Sequence, residues 1–313
     1  MPYGFTGGPR VWRSVSSAAS FARSIVVPSR FFCNSCLVEK DLVATDGALA
    51  GAWIEPRLGG RFGSVTLQVP RGFEAYARIF HPPLDSTGTP VRWAEVADVC
   101  GTIPHPQMQW HAILGLGDVD ELRGSYAPGD GSGVKWVGSD PPIGGMDIDT
   151  LDALCRVIST HTDDSTRCFF GLCTVQGWID SLSITPVPSP LYLPMDRGYI
   201  ILAGPLSAAD QILWDWANSL ELTLNDGNVG AFPGREAAHL WTREAPNLLW
   251  PADHTWFVAS EVDFDSTLIG ASAALIDAIV ECPALEAWAI EESASLAEDA
   301  DTINSRSLPE TES

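Results

Sequence analysis

The chain predicts an α+β fold: a mostly antiparallel sheet, helices packed on one face, and a C-terminal strand–helix–strand unit. Three observations carry that reading. Short apolar and aromatic segments bounded by Gly and Pro recur along the chain, as strands do. Ile148–Thr160 instead places Leu151, Leu154, Cys155 and Ile158 on one helical stripe. With 313 residues, 45% of them hydrophobic, a sizeable core is available.

The elements follow in chain order. Residues 1–45 read as a disordered basic leader. The first 38 residues contain no acid and carry Arg10, Arg13, Arg23 and Arg30 among many serines. Such starts resemble organelle transit peptides; a disordered leader or an over-extended translation start is the reading preferred. Residues 46–290 are expected to form a single globular domain. Ser64–Val69 and Phe73–Phe80 read as strands joined at Pro70–Gly72 in a hairpin. Val91–Val99 reads as a short helix, and Gly124–Gly145 as an exposed loop or flexible insertion. The helix at 148–160 has Asp147 and Asp149 at its start, where the helix dipole favours them. Arg167–Val175 then reads as a buried strand. The Pro-rich stretch 181–194 is a candidate subdomain joint. Gly198–Leu202 follows as a strand, and Ser207–Leu220 as a helix with Ser207 as N-cap. Strand Trp256–Val262, helix Ala271–Glu281 and strand Leu285–Ile290 close the domain as a crossover, right-handed if its strands are parallel neighbours. Residues 291–313 hold seven acids and one Arg and read as a disordered acidic tail.

Charge bounds the function. The net charge is −22, and Lys40 and Lys135 are the only lysines. Phosphate backbones are bound by Lys and Arg that displace counterions, so nucleic acid is excluded as a partner. Anionic membranes are disfavoured for the same reason, and no apolar run approaches the ~20 residues a span needs. Seven cysteines, an odd number, read as reduced thiols of a cytoplasmic protein. Cys33 and Cys36 form a CxxC without the second pair that a structural zinc site uses.

Residues 250–267, WPADHTWFVASEVDFDST, hold the candidate site residues. A strand continued to Asp265 would point Glu261, Asp263 and Asp265 to one face. Three such carboxylates suit Mg²⁺ or Ca²⁺, or an acid–base pair with His254 close by. The alternative is a turn at Asp263–Asp265, with Asp265 or Ser266 capping the helix region that follows. Trp241, Trp250 and Trp256, with Asp253, either fill the core or line a binding surface, where tryptophan is enriched.

Two resemblances bear on these residues. Asp263-Phe264-Asp265-Ser266-Thr267-Leu268 is similar to the DxDxT signature of haloacid-dehalogenase-like phosphohydrolases. That resemblance implies Asp263 as phosphoryl-accepting nucleophile and Asp265 as general acid/base. It covers six residues, and the rest departs from the family pattern: only 46 residues follow Thr267, with no Lys among them. The match is therefore read as coincidental. The segments VPRGFEAYARIFHPP, VRWAEVA, HTDDSTRCFFGLCTVQGW, DRGYIILAGPL and APNLLWPADHTWFVASEVDFDST resemble a family of actinobacterial proteins with no assigned activity. That resemblance spans about residues 53–290 and implies one globular unit and no catalytic residues.

No Walker A, GxGxxG, GxSxG or HExxH pattern is present. The first expectation is thus a non-enzymatic cytoplasmic protein without a cofactor, binding another protein through an acidic, tryptophan-bearing surface. The second is a metal-assisted hydrolase using Glu261, Asp263, Asp265 and His254 with Mg²⁺ or Ca²⁺.

Overall fold

A computed structural model describes residues 42–116, 133–163, 166–174, 189–209 and 245–304. The chain divides into Met1–Asn34 and Ser35–Ser313, and every described residue belongs to the second unit. Residues 1–41 of the leader, the CxxC, Trp241, most of 207–220 and residues 305–313 lie outside the described residues.

The fold is α+β, built on one nine-stranded antiparallel sheet. Its strands are β1 (Val43–Thr45), β2 (Ala75–Phe80), β3 (Cys168–Cys173), β4 (Leu191–Leu193), β5 (Arg197–Gly204), β6 (Leu248–Pro251), β7 (Phe257–Ser260), β8 (Ser266–Ala271) and β9 (Ala287–Ile290). Their order is β1-β5-β3-β6-β7-β8-β2-β9, with β4 also paired to β5. The helices are α1 (Gly47–Ala50), α2 (Val65–Gln68), α3 (Trp93–Cys100), α4 (Trp110–Ile113), α5 (Ile148–Ser159) and α6 (Ala273–Val280).

Period-two alternation divides the core between the two faces of the sheet. Ala77, Ile79, Phe170, Leu249, Val258 and Ile269 face α5 and α6, which bring Leu151, Leu154, Ile158, Leu275 and Ile279 to them. Tyr76, Tyr199, Leu248, Trp250, Phe257 and Leu268 face the other way and are covered by Ile54, Val65, Val69 and Leu296. On that face a Cβ at Gly270 would sit 2.5 Å from the Phe73 ring and 2.9 Å from Val69, so only glycine lets the cover approach. A third cluster joins Phe80 to Trp93, Met108, Trp110, Ile113 and Trp136 beyond the end of β2.

Several expectations need correction. Ser64–Val69 holds the short helix α2 (Val65–Gln68), not the partner strand of a hairpin. Both edges of β2 are occupied, by β8 and by β9, so no edge is free for it. The strand from Trp256 ends at Ser260, and the chain turns and returns as β8. All six residues of β8 are buried, so it shows neither alternation nor a helical stripe. Ser272, rather than Asp265 or Ser266, caps the next helix by accepting from the Leu275 N–H at 3.3 Å. β8 and β9 are both antiparallel to β2, so they run parallel with β2 between them rather than as neighbours.

The boundaries of the folded unit shift as well. Leu42 is buried and β1 pairs with β5, so residues 42–45 belong to the sheet rather than to a leader. Residues 291–304 also pack: the Leu296 N–H donates to Gly63 O, Ala294 O accepts from the Val65 N–H, and Leu296 and Asp301 are buried. Within the expected loop, Val134 and Trp136 are buried in the third cluster. Among the described residues, no helix is long and apolar enough to cross a membrane.

Candidate functional site

The turn after β7 separates the three expected carboxylates instead of aligning them. The Phe264 N–H donates to Glu261 O at 3.1 Å, closing the turn and breaking strand alternation. Glu261 is 6% exposed and accepts from Arg197 Nε at 2.9 Å. The same guanidinium reaches Asp263, whose side chain is 57% exposed. Asp265 turns instead to Arg78, accepting from Nη2 at 3.3 Å. Each carboxylate therefore meets a guanidinium. Among the described residues, no group of three His, Cys, Asp or Glu side chains is placed to hold a metal ion. Burial pushes the Glu261 carboxyl above its ordinary range, outweighing the opposing pull of Arg197.

His254 lies at the other end of β7. It precedes the strand and Glu261 follows it, so roughly 13 Å of extended chain intervenes. His254 adopts φ 58° and stacks on Trp53 at 4.2 Å between ring centroids. Partial burial, with Arg57 nearby, lowers its pKa. Asp253 caps the local turn, accepting from the Thr255 N–H and hydroxyl at 3.2 and 2.8 Å. Trp250 and Trp256 are 0% and 1% exposed, so neither offers a binding surface. Trp250 stacks between Phe169 and Phe257, and Trp256 donates its indole N–H to Thr162 at 2.8 Å.

The carboxylates Asp263 and Asp265 do enter a cleft. It measures about 430 Å³, and its walls include Phe62, Trp110, Asp140, Ile143, Phe264 and Glu298 besides those two. Five segments meet there, at residues 62, 109–111, 140–143, 263–265 and 296–298, and buried polar groups fix the last four. Arg78, on the same face of β2 as Tyr76 and Phe80, is wholly buried. It donates to Met108 O at 2.7 Å, Pro106 O at 3.2 Å and Ser266 Oγ at 2.8 Å, and so ties the 106–108 loop to β8. Its guanidinium also lies 4.3 Å from the Phe80 ring centroid.

His81 fixes the next segment. Its Nδ1 lies 2.9 Å from Pro142 O and its Nε2 lies 2.9 Å from Thr267 Oγ1. A carbonyl only accepts, so Nδ1 carries the proton and Nε2 accepts from the Thr267 hydroxyl. Burial lowers the His81 pKa, in keeping with that neutral ring. The Gly144 N–H donates to Phe264 O at 2.9 Å and joins this loop to the β7–β8 turn. Asp140 accepts the Trp110 indole N–H at 2.7 Å on the cleft wall.

Asp301 holds the C-terminal segment. It accepts from His105 Nε2 at 2.8 Å, the Gln109 N–H at 3.2 Å and the Asn304 N–H at 2.8 Å. Burial alone would raise its carboxyl, but these hydrogen bonds together bring it below the ordinary value. The outcome places Glu298 on the cleft wall.

Sequence reasoning missed Arg78, His81, Arg197 and Asp301. One signal was available: in Ala75–Phe80, Arg78 shares the period-two face of two large aromatics, where an exposed charge does not belong. Comparison of the chain with protein-family models, with curated proteins and with solved structures found no match.

Proposed function

We propose that this protein is a cytoplasmic interaction module that binds a basic, partly apolar segment of another protein in the cleft between Asp140, Asp263 and Glu298. One observation carries the reading. Among the described residues, the cleft walls bear the carboxylates of Asp140, Asp263, Asp265 and Glu298 and no Lys or Arg, and Phe62 and Ile143 flank them. Those two side chains are 52% and 66% exposed, which leaves apolar area open beside the acids. Asp263 and Asp265 are already paired with arginines and Asp140 accepts from the Trp110 indole, so the exposed Glu298 supplies the charge that a partner meets first. An overall charge of −22 steers cationic partners toward the surface and repels acidic ones.

The reading keeps the acidic surface expected from the sequence and moves its aromatic component. Phe62 and Phe264, whose ring centroids lie 5.4 Å apart, take the place given to Trp250 and Trp256. A peptide array probed with labelled protein tests the idea. Retained peptides are expected to be enriched in Lys or Arg next to an apolar residue, and the signal to fall with rising salt. The variant Glu298→Lys, at an exposed position, should weaken that enrichment while keeping its melting temperature. An array without basic enrichment, or one unchanged by Glu298→Lys, rejects the reading.

A further inference from the structure

The walls of the cleft between Asp140, Asp263 and Glu298 discriminate among cations. Two of the wall residues are phenylalanines. Phe62 is 52% exposed, and its ring lies 5.4 Å from that of Phe264 at a tilt of 34°, so the two adjoin as one aromatic patch. An aromatic face carries negative charge density and attracts a cation held against it. Trp110 lines the same cleft, with its indole N–H committed to Asp140. The volume, about 430 Å³, lies within the range of roughly 300–1,000 Å³ usual for ligand pockets, so a long side chain has room to enter.

The carboxylates bring charge, but part of their capacity to accept hydrogen bonds is already spent. Asp263 is bonded to Arg197, Asp265 to Arg78, and Asp140 to the Trp110 indole. Glu298 is exposed and meets no hydrogen-bond or ion-pair partner among the described residues. A bare lysine ammonium brings three N–H donors, and each one stripped of water needs an acceptor. A trimethylated ammonium keeps the positive charge and has no N–H to satisfy. Its charge is spread over methyl groups, so it leaves water at a lower cost and packs directly on aromatic rings. Negative charge with its acceptors partly spent, beside exposed phenylalanine, therefore suits a methylated cation better than a bare one.

We propose that the cleft recognises a trimethyllysine side chain of a partner protein, its methylated head against Phe62 and Phe264 and its charge facing Glu298. This assignment rests on the reading of the cleft as a site for a basic segment, and narrows that segment to one cation. The full chain is labelled with ¹⁵N, and the backbone amide signals of residues 263–265 and 296–298 are followed. Three short peptides are titrated in, identical but for one position beside a leucine. That position holds lysine, trimethyllysine, or the neutral isostere with a tert-butyl group in place of the trimethylammonium. Tetramethylammonium chloride is the fourth probe. The trimethyllysine peptide should shift these signals saturably, with an affinity about tenfold or more above each of the other three. Phe62→Ser, at an exposed position, should weaken it about tenfold and bring the three peptides together. A lysine peptide that binds as tightly overturns the proposal and leaves the basic-segment reading standing. A neutral isostere that binds as tightly removes both, since charge is then not read. Tetramethylammonium as tight as the trimethyllysine peptide overturns the proposal, because the ligand is then a free quaternary cation rather than a protein side chain. No response to any peptide overturns it as well. Should Phe62→Ser fail to fold, the four-probe comparison on the wild type decides the matter.

Discussion

At the start of β7, Trp256 and Phe257 enter the core from opposite faces of the sheet, and Trp250 stacks beside Phe257 across the hairpin. At its far end, Glu261, Asp263 and Asp265 leave the strand into a turn and are taken up by Arg197 and Arg78. Four residues of strand therefore separate a dry end from an ionic one. The aromatic end is fixed by area and shape. The acidic end is fixed by directed hydrogen bonds, which also set the walls of the cleft. Of the two ends, the second alone leaves a carboxylate within reach of solvent: Asp263 is 57% exposed, while Trp250 and Trp256 are buried.

The sharpest way to break the comparison is to truncate each end in turn. Trp250→Ala should cost about 3–5 kcal/mol in urea unfolding, the usual range for a buried tryptophan. The two tryptophans should part company on replacement by Phe. The Trp250 indole N–H is buried without a partner, whereas that of Trp256 donates to Thr162. Trp250→Phe should therefore be the milder change, and Trp256→Phe should cost about 1 kcal/mol more. Equal losses would mean that the indole hydrogen bond contributes nothing. At the ionic end, Arg78→Met should cost about 3 kcal/mol, because it strips the Pro106 and Met108 carbonyls and leaves Asp265 unpaired. The same variant should speed hydrogen exchange in the 106–113 segment, which Trp250→Phe should leave alone.

What was legible in the sequence follows the same division. Elements with one repeating pattern were readable: the stripe of α5, and β3 and β5 as apolar runs between turns. β8 was not, since burial on both faces removes the alternation that marks a strand. The 291–304 segment was not, since acid count says nothing about where an acid goes. Asp301 serves as a buried cap for its neighbours, a role set by partners nearly 200 positions away. The site suffered most. Of the two readings of this stretch, the continued strand would have put three carboxylates on one face; the turn at Glu261–Phe264 bears out the other, though not its helix cap. Long-range partners such as Arg78 and Asp265, or Arg197 and Glu261, leave no mark in local pattern.

Two buried carboxyls sharpen the comparison through pH. The folded-state pKa of Glu261 is raised by burial from 4.5, so the folded protein holds this proton more tightly than the unfolded chain. Its contribution is full below the unfolded value and is lost as pH rises through the folded one. Asp301 has the opposite sign. Its pKa is lowered from 3.8, so its contribution is present above that value and is lost as pH falls through the folded one. Stability measured by urea unfolding from acid to neutral pH should show both slopes. Glu261→Gln should remove the decline on the rising side while keeping an acceptor for Arg197. Asp301→Asn should remove the loss on the falling side, at a cost of about 1–2 kcal/mol near neutrality from weakened bonds to His105 and the Asn304 N–H.

The smallest effect on stability belongs to a residue on which the proposed binding in the cleft relies. Phe62 is 52% exposed, and its ring meets Phe264 at the cleft margin. Phe62→Ser should cost only about 0.5 kcal/mol, as surface changes away from special features do. For a bound segment the same ring supplies apolar area that a partner covers, and an aromatic anchor at an interface is worth about 1–2 kcal/mol. Binding of an array-selected basic peptide to Phe62→Ser should therefore weaken about tenfold or more, as read by titration calorimetry. Trp250→Phe, at the dry end, should leave that affinity unchanged. If instead Trp250→Phe weakens binding and Phe62→Ser does not, the partner reads the packing of the sheet rather than the cleft, and the division between the two ends of β7 fails as an account of function.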